Sequence, residues 1–416
     1  MARHIAIIGS GPAGCYLADQ LLRLIPDAAV DIIEKLPVPF GLIRYGVAPD
    51  HQSTKAVARV LDRVLARDRV GYFGNVCVGR DVQVDELMSL YDAVVLATGA
   101  QCDRKLGIPG EDLPGVIGSG AFVGWYNGHP FSQSPAVSGI RSAVIIGNGN
   151  VAIDVARVLA KGPEELAGSD LPPQVTEWLG AQPLEAIHIV GRRSAAEAKF
   201  TTHELAELGT LQRAQPTVMD PAGLSGDSDV VKTLRGFAES IPRATPVTIN
   251  FHFQLTPVAF TGEGKLEGVQ FRRAAGGKVE IPAQLSVTCI GYDAVACGSA
   301  LPQNGTFRND AGRIDPRLYV AGWARRGPSG TIPTNRTEGQ QLAQKIAQEI
   351  ADGVRAGRRG LRELLESRDV GWTDYAAWRR MDEAELAGAC AERCRQKLGS
   401  VDEMLEAALE GQLRSA

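Results

Sequence analysis

The sequence predicts an α/β protein with two Rossmann-like domains, the second inserted into the first. A buried strand, a glycine loop and an amphipathic helix follow one another at residues 3–24 and again at residues 142–159. A buried strand that ends in glycine precedes the second set, at residues 91–100, and a similar strand follows it, at residues 317–323. The 416 residues are long enough for two or three domains with separate cores.

The first glycine loop has the pattern G-x-G-x-x-G between a strand at residues 5–8 and a helix at residues 13–24. Gly9 permits the tight turn, Gly11 leaves room for a pyrophosphate, and Gly14 lets the helix lie close to the strand. The helix N-terminus offers free N–H groups and a positive dipole end to the phosphates. The loop therefore predicts a bound dinucleotide.

A second strand, residues 30–33, ends in Glu34. An acid at an offset of about twenty residues can accept hydrogen bonds from both hydroxyls of an adenosine ribose. The alternative is a glycine-rich turn without a ligand. The strand before the turn, the helix after it and the acid together favour the dinucleotide site.

Residues 37–51 form a long loop rich in proline, glycine and apolar side chains. An apolar loop is expected to lie against something large and flat, for which a flavin ring is suitable. His51 closes the loop before a helix predicted at residues 53–67, and its alternative role is hydrogen bonding at that helix start.

The second glycine loop follows a strand at residues 142–146 and reads Gly147-Asn148-Gly149-Asn150-Val151-Ala152. The second strand of this domain, residues 187–191, ends in Arg192 and Arg193 rather than in an acid. Paired guanidinium groups bind a 2′-phosphate that an acid would repel, so this site is predicted to prefer NADP(H). The alternative is a solvated surface pair.

The other elements follow from periodicity. Strands are predicted at residues 74–79, 247–260, 268–273 and 286–292, those at 247–260 and 268–273 as antiparallel decoration. Helices are predicted within residues 162–183 and at 199–208, 337–351 and 360–416, with Glu204 and Glu207 on one helix face.

Composition excludes several classes of protein. The net charge of −4 gives no support to nucleic-acid binding, and no apolar run approaches the roughly eighteen residues that a membrane span needs. The seven cysteines include no C-x-x-C pair, which argues against a thioredoxin-like dithiol and a zinc ribbon. No metal site is predicted. The chain enters its first strand within a few residues, which predicts a cytoplasmic protein without a signal peptide.

Four long motifs resemble the adrenodoxin reductase family of ferredoxin–NADP reductases, in its bacterial form. They are PFGLIRYGVAPDH, GNGNVAIDVARVL, VGRRSAAEAKFTTHEL and GWARRGPSGTIPT, and FVGWYNG at residues 122–128 also fits. The resemblance implies an NADP domain, residues 105–292, inserted into an FAD domain made of residues 1–104 and 293–416, the latter with a helical C-terminal region.

The resemblance also implies roles for single residues. The FAD contacts, including the first phosphate loop, are Gly9, Gly11, Ala13, Gly14, Glu34, Leu42, Val78, Trp323, Gly330, Thr331 and Ile332. The NADP contacts are Asn148, Gly149, Asn150, Val151, Arg192, Arg193 and Glu204, with Gly330 near the nicotinamide. His51 and Glu207 match the polar pair that the family places beside the nicotinamide and flavin.

The activity implied is hydride transfer from NADPH to FAD, then single-electron transfer to a ferredoxin-like iron–sulfur protein. A cytochrome P450 is a candidate acceptor beyond that protein, and the chain is expected to be a monomer. Three departures from the family are the loop after Arg193, Thr331 in place of the usual Val, and few basic residues between Pro216 and Thr248. The alternatives are another NADPH-dependent flavoprotein reductase and a flavin-based redox sensor.

Overall fold

The computed structural model describes residues 2–351 and 353–413. Its strands are β1 (Arg3–Ile8), β2 (Ala28–Ile33), β3 (Val70–Phe73), β4 (Ala93–Leu96), β5 (Cys102–Asp103), β6 (Val116–Gly118), β7 (Ser142–Ile146), β8 (Ala186–Val190), β9 (Ala214–Val218), β10 (Val247–His252), β11 (Leu255–Thr261), β12 (Gly268–Arg273), β13 (Lys278–Pro282), β14 (Leu285–Thr288), β15 (Tyr292–Asp293), β16 (Arg313–Asp315) and β17 (Leu318–Val320).

The helices are α1 (Pro12–Leu24), α2 (Leu42–Tyr45), α3 (Gln52–Lys55), α4 (Ala58–Leu65), α5 (Val84–Leu90), α6 (Ser119–Tyr126), α7 (Asn150–Ala160), α8 (Pro173–Gly180), α9 (Thr202–Glu207), α10 (Asp229–Glu239), α11 (Trp323–Arg326), α12 (Ile332–Glu349), α13 (Arg358–Ser367), α14 (Tyr375–Ala387) and α15 (Val401–Leu413). None of the helices in the described ranges is long and apolar enough to cross a membrane.

The first sheet has the order β16-β17-β4-β1-β2-β3, and its strands are parallel except β16. Alternate residues of β1 enter different cores. Ile5 and Ile7 pack with residues of α1 and α12, whereas Ala6 and Ile8 pack with residues of α5 and α13. A parallel sheet covered on both faces explains the continuous apolar run of this strand.

The second sheet has the order β6-β14-β7-β8-β10-β9 and is parallel throughout. All its strands lie between β4 and β17 in sequence, so the second domain is inserted into the first, as predicted. A small antiparallel sheet, β11-β12-β13, covers part of one face. β5 and β15 pair in antiparallel fashion where the chain passes between the two domains.

Three sequence-based predictions were wrong in detail, and the helical character predicted for residues 360–416 is confirmed for the described residues, with loops between the helices. The strand expected at residues 74–79 lies at Val70–Phe73, because Gly74 and left-handed Asn75 (φ 62°) end it. The segment 247–260 is two strands separated at Gln254 (φ 58°), and the first of them, β10, is parallel rather than antiparallel. The helix expected at 53–67 is broken into α3 and α4. Residues 360–416 hold separate helices joined by loops, and residues 414–416 lie outside the described part.

Candidate functional site

The first glycine loop has the geometry of a phosphate cradle. Gly9 has φ 110°, and a Cβ atom there would lie 2.5 Å from the carbonyl oxygen of Ala97 on the neighbouring strand end. A Cβ atom on Gly14 would overlap the carbonyl oxygen of Gly9. Gly11 is different, because a Cβ atom there would meet no described atom within 4 Å. Two glycines thus allow close packing, and the third faces open space of the kind a pyrophosphate needs.

Glu34 lies beside this loop at the end of β2. Its Oε2 accepts hydrogen bonds from the backbone N–H of Ser10 (2.9 Å) and from Ser10 Oγ (2.5 Å). The carboxylate is half-buried and fixed in position. It therefore retains acceptor capacity for a pair of ribose hydroxyls.

The apolar loop approaches the cradle from the other side. A Cβ atom on Gly41 (φ 49°) would lie 3.4 Å from the Cα of Gly11. Leu42, the first residue of α2, is 46% exposed although its neighbours Ile43, Arg44 and Tyr45 are buried. A large exposed apolar side chain at the mouth of a phosphate cradle fits a flat aromatic ligand. Val78 lies farther along, in the loop after β3, bridged to Val82.

The start of α11 adjoins the start of α1. A Cβ atom on Gly322 (φ 67°), just after β17, would lie 2.6 Å from the Cβ of Ala13. Trp323 stacks on Tyr292 with ring centroids 6.0 Å apart, and its Nε1 donates to the carbonyl of Ser329. Gly330 has φ 80°, and Thr331 caps the helix that Ile332 begins. Two helix N-termini thus meet at one edge of the first sheet.

The second glycine loop repeats the arrangement of the first. A Cβ atom on Gly147 (φ 146°) would overlap the carbonyl oxygen of Cys289, whereas one on Gly149 would meet no described atom within 4 Å. Asn148 Oδ1 is buried, with no hydrogen-bond partner among the described residues. Asn150 Oδ1 accepts from the backbone N–H of Thr201, and Val151 follows in the first turn of α7. An unpartnered buried oxygen beside an open cradle fits a missing polar ligand.

Arg192 and Arg193 follow β8, and both side chains are exposed. Arg193 Nε lies 3.9 Å from Glu197, an exposed pair of little energetic weight. Glu197 also accepts hydrogen bonds from Ser194, so the loop that departs from the family pattern forms an ordered turn. Both guanidinium groups can therefore turn toward an anion.

The two predicted catalytic residues are in contact. His51 Nε2 lies 2.9 Å from Glu207 Oε2 and 3.8 Å from Glu204 Oε2. His51 precedes α3 in the first domain, but its side chain makes no capping hydrogen bond there. Glu207 ends α9 in the second domain. The structure thus selects the interdomain contact over the helix-start role for His51.

Arg157 connects this pair to further charges that sequence reasoning missed. Its side chain is 1% exposed, and its Nε lies 2.8 Å from Asp50 Oδ2. Its Nη2 lies 2.8 Å from Asp154 Oδ1, and its Nη1 lies 3.4 Å from Glu207 Oε2. The signal in the sequence was the apolar helix that contains Asp154 and Arg157, since charges in such a helix are usually buried in pairs.

The buried cluster shifts the pKa of two of its carboxyl groups in opposite directions. Burial raises the pKa of Asp154 to about 6, against the opposing attraction of Arg157. Although burial opposes it, hydrogen bonds and charge from Arg157 and Lys161 hold the pKa of Asp50 well below its usual range. Four carboxylates, those of Asp50, Asp154, Glu204 and Glu207, face two cations, Arg157 and Lys161, so the cluster has an excess of two negative charges when His51 is neutral.

His51, Glu204 and Glu207 could also be arranged around a metal ion, because their ligand atoms all lie within 4.8 Å of one another. The guanidinium of Arg157 lies 3.4–3.5 Å from both glutamates and already supplies positive charge there. The arrangement therefore favours a polar organic ligand over a metal ion.

Known proteins similar to this chain include NADPH-ferredoxin reductases and NADPH:adrenodoxin oxidoreductases. Residues 3–194 match the family described as pyridine nucleotide-disulphide oxidoreductase. The chain is 39% identical to NADPH-ferredoxin reductase FprA of Mycobacterium tuberculosis, covering 98% of this chain and 99% of the relative. It is 37% identical to human mitochondrial NADPH:adrenodoxin oxidoreductase, covering 97% and 91%. The structure of Mycobacterium tuberculosis FprA in complex with NADPH superposes with a TM-score of 0.92 at 36% identity, covering 98% of this chain and all of that one.

Proposed function

Because the chain belongs to the adrenodoxin reductase family of NADPH–ferredoxin reductases, we propose that it is an FAD-containing enzyme that passes electrons from NADPH to a ferredoxin-like iron–sulfur protein. One observation carries the proposal. The contact between His51 and Glu207 joins the ends of two dinucleotide folds, and Arg157 links Glu207 to Asp50, the residue before His51. Two nucleotides bound in these folds would have their redox ends near this contact.

When bound, FAD and NADPH supply the redox chemistry, in which a hydride passes to the flavin and electrons then leave singly. The protein's own contribution is positioning. We assign FAD to the first cradle, with Gly9, Gly11, Ala13 and Gly14 at the pyrophosphate and Glu34 at the ribose. Leu42, Val78, Trp323, Gly330, Thr331 and Ile332 complete this site. The open space at Gly11 and the exposure of Leu42 support the assignment.

We assign NADPH to the second cradle, at residues 148–151. Arg192 and Arg193 bind the 2′-phosphate there, and their exposure makes both guanidinium groups accessible for bidentate contacts. Glu204 lies toward the ribose next to the nicotinamide. Its distance of 3.8 Å from His51 supports a place near the junction of the two sites.

His51 and Glu207 orient the nicotinamide carboxamide, since one offers a ring nitrogen and the other a carboxylate at the same junction. With His51 neutral, the excess of two negative charges in their cluster would favour a positively charged ring bound beside it, such as an oxidised nicotinamide. We assign no general base, because hydride transfer needs none.

The proposal also covers the electron acceptor, the oligomeric state, the domain boundaries and the cellular location. The enzyme acts as a monomer on a small iron–sulfur protein, and a cytochrome P450 is one acceptor beyond it. We place the FAD domain at residues 1–104 and 293–416 and the NADP domain at residues 105–292, supported by the β5–β15 pairing beside both crossings. Seven free cysteines support a cytoplasmic location, because such compartments keep thiols reduced.

Rapid mixing of the purified yellow protein with NADPH tests the proposal. Loss of flavin absorbance within milliseconds to seconds, followed by cytochrome c reduction that depends on added ferredoxin, is the expected result. Bleaching without any transfer to a panel of ferredoxins would indicate a flavin-based sensor. A colourless chain that takes up no FAD would contradict the proposal.

A further inference from the structure

The apolar loop contains a strained residue at its centre. Phe40 has φ 84°, a conformation that bulky side chains rarely adopt. Its side chain is 4% exposed, and its backbone N–H donates to Ser10 Oγ at 3.2 Å. Residues with such backbone geometry persist only where the surrounding structure holds them, and they concentrate at functional sites.

The strained residue is held from outside by the C-terminal region. Trp378 of α14 is 2% exposed, and its ring meets the ring of Phe40 edge to face, with centroids 5.5 Å apart and planes at 87°. Trp378 Nε1 donates to Asp62 of α4 at 3.1 Å, which fixes the orientation of the indole. The indole thus forms a rigid wall behind Phe40.

A second contact holds the same loop from α14. Arg44 forms a buried ion pair with Glu385, and its guanidinium lies over the ring of Trp378 at 5.7 Å. Glu385 also accepts from the backbone N–H of Leu398 at 3.0 Å. Thr373, just before α14, donates to the carbonyl of Pro37 at 3.1 Å. The loop is therefore fixed along its outer face by residues more than 300 positions away in sequence.

The inner face of the loop meets the first phosphate cradle. Ser10 Oγ, which receives the N–H of Phe40, donates to Glu34, and Gly41 lies against Gly11. The position of Phe40 therefore determines the position of the Glu34 carboxylate, which is assigned to the ribose. It also determines the position of the open side of the first phosphate cradle. No redox group is needed in the C-terminal region for it to affect the cofactor.

We propose that Trp378 is a positioning residue for FAD, which keeps the strained Phe40–Gly41 turn closed over the first phosphate cradle. The inference rests on the assignment of FAD to that cradle. It gives the C-terminal region a specific role, namely retention of the flavin nucleotide. The contact acts through Phe40, because Trp378 itself lies behind the loop.

The experiment measures FAD release from the full-length holoprotein after dilution, followed by flavin fluorescence. Trp378→Ala is expected to release FAD ~10-fold faster than the wild type, because the strained turn loses the aromatic ring that holds it closed. Trp378→Phe keeps an aromatic wall and is expected to stay within about twofold. Affinity for NADP⁺ is expected to change little in both variants.

Trp372→Ala is the matched control. Trp372 also belongs to the C-terminal region and packs on an aromatic ring, that of Phe73, with centroids 4.8 Å apart. Trp372 is only partly buried, so its loss removes less packing than the loss of Trp378, and it leaves the Phe40 contact in place. FAD release as fast from this control as from Trp378→Ala would overturn the inference, as would release at the wild-type rate from Trp378→Ala.

A double variant separates positioning from simple loss of packing. Glycine adopts φ 84° without strain, so Phe40→Gly combined with Trp378→Ala is expected to release FAD more slowly than Trp378→Ala alone. Equal or faster release would overturn the inference. If the alanine variant does not fold, Trp378→Leu replaces it in both comparisons. A wild-type chain that never binds FAD would instead contradict the proposed function.

Discussion

The two glycine loops share one arrangement of close approach and open space, and their surroundings differ. Gly9 and Gly147 each make a close approach to a neighbouring strand end, and Gly11 and Gly149 each face open space. Around the first loop, Glu34 is fixed by Ser10 and the apolar loop covers one side. Around the second, the arginine pair is exposed. On the proposed function, the backbone of each loop would bind a pyrophosphate, and the surroundings would decide which nucleotide stays bound and which one exchanges.

The largest effect is expected from placing a side chain in the open space beside Gly11 or beside Gly149. Both Gly11 and Gly149 have extended backbone that any residue can adopt. Gly11→Val is expected to abolish FAD binding, and Gly149→Val to abolish NADPH binding while FAD stays bound. Without nucleotides, both variants are expected to unfold at close to the temperature of the wild-type apoprotein, because an added Cβ atom meets no described atom within 4 Å.

Titration of each purified variant with FAD and NADP⁺ checks this prediction. Gly236→Val in α10 is the control, because a Cβ atom there also meets no described atom within 4 Å and the residue belongs to neither glycine loop. Retention of both nucleotides by the two loop variants would show that the cradles bind something else.

The second effect sharpens the difference between the loops. Arg192→Ala combined with Arg193→Ala is expected to raise KM for NADPH ~100-fold, because each charge-assisted pair is worth about 1.5–3 kcal/mol. KM for NADH is expected to change less than threefold. Arg59→Ala with Arg63→Ala, an exposed pair on α4, is the control. Equal changes in KM for NADPH and NADH would contradict the assignment of the 2′-phosphate to this site.

The third effect concerns the contact between His51 and Glu207, at the junction of the two domains. Glu207→Gln and His51→Ala are expected to slow hydride transfer to FAD ~10-fold, measured by rapid mixing, with both affinities within about threefold. His203→Ala is the control, since His203 is exposed and lies 3.5 Å from the other oxygen of Glu207. A rate unchanged in both junction variants would leave the contact with a purely structural role.

The smallest effect is a pH dependence of stability at the same junction. The pKa of Asp154 is raised to about 6, so the folded chain keeps its proton while the unfolded chain loses it. Stability from this group is therefore present at about pH 4 and is lost as pH rises to about 6. Relative to Asp154→Asn, the wild type is expected to lose about 2 kcal/mol of unfolding free energy across that window. Urea unfolding at several pH values measures the difference, and parallel curves would contradict it.

The sequence predicted the elements that one chain segment determines. The glycine loops, Glu34 and the arginine pair lie at strand ends, where a short pattern fixes both backbone and position. It did not predict that Asp50 and Arg157 pair, because they are 107 residues apart and belong to different domains. It missed the break at Gln254 for a related reason, since a single left-handed residue ends one strand without changing the apolar pattern.

The buried guanidinium of Arg157 has a consequence for exchanging domains between relatives. The carboxylates that contact it come from both domains. Asp50 belongs to the first domain, and Asp154 and Glu207 belong to the second. Consider a chimaera that keeps the loop at residues 37–51 and takes its second domain from a relative. It will fold well only if the relative has an arginine at the position of Arg157. In such an exchange, α7 and the loop at residues 37–51 should therefore be transferred together.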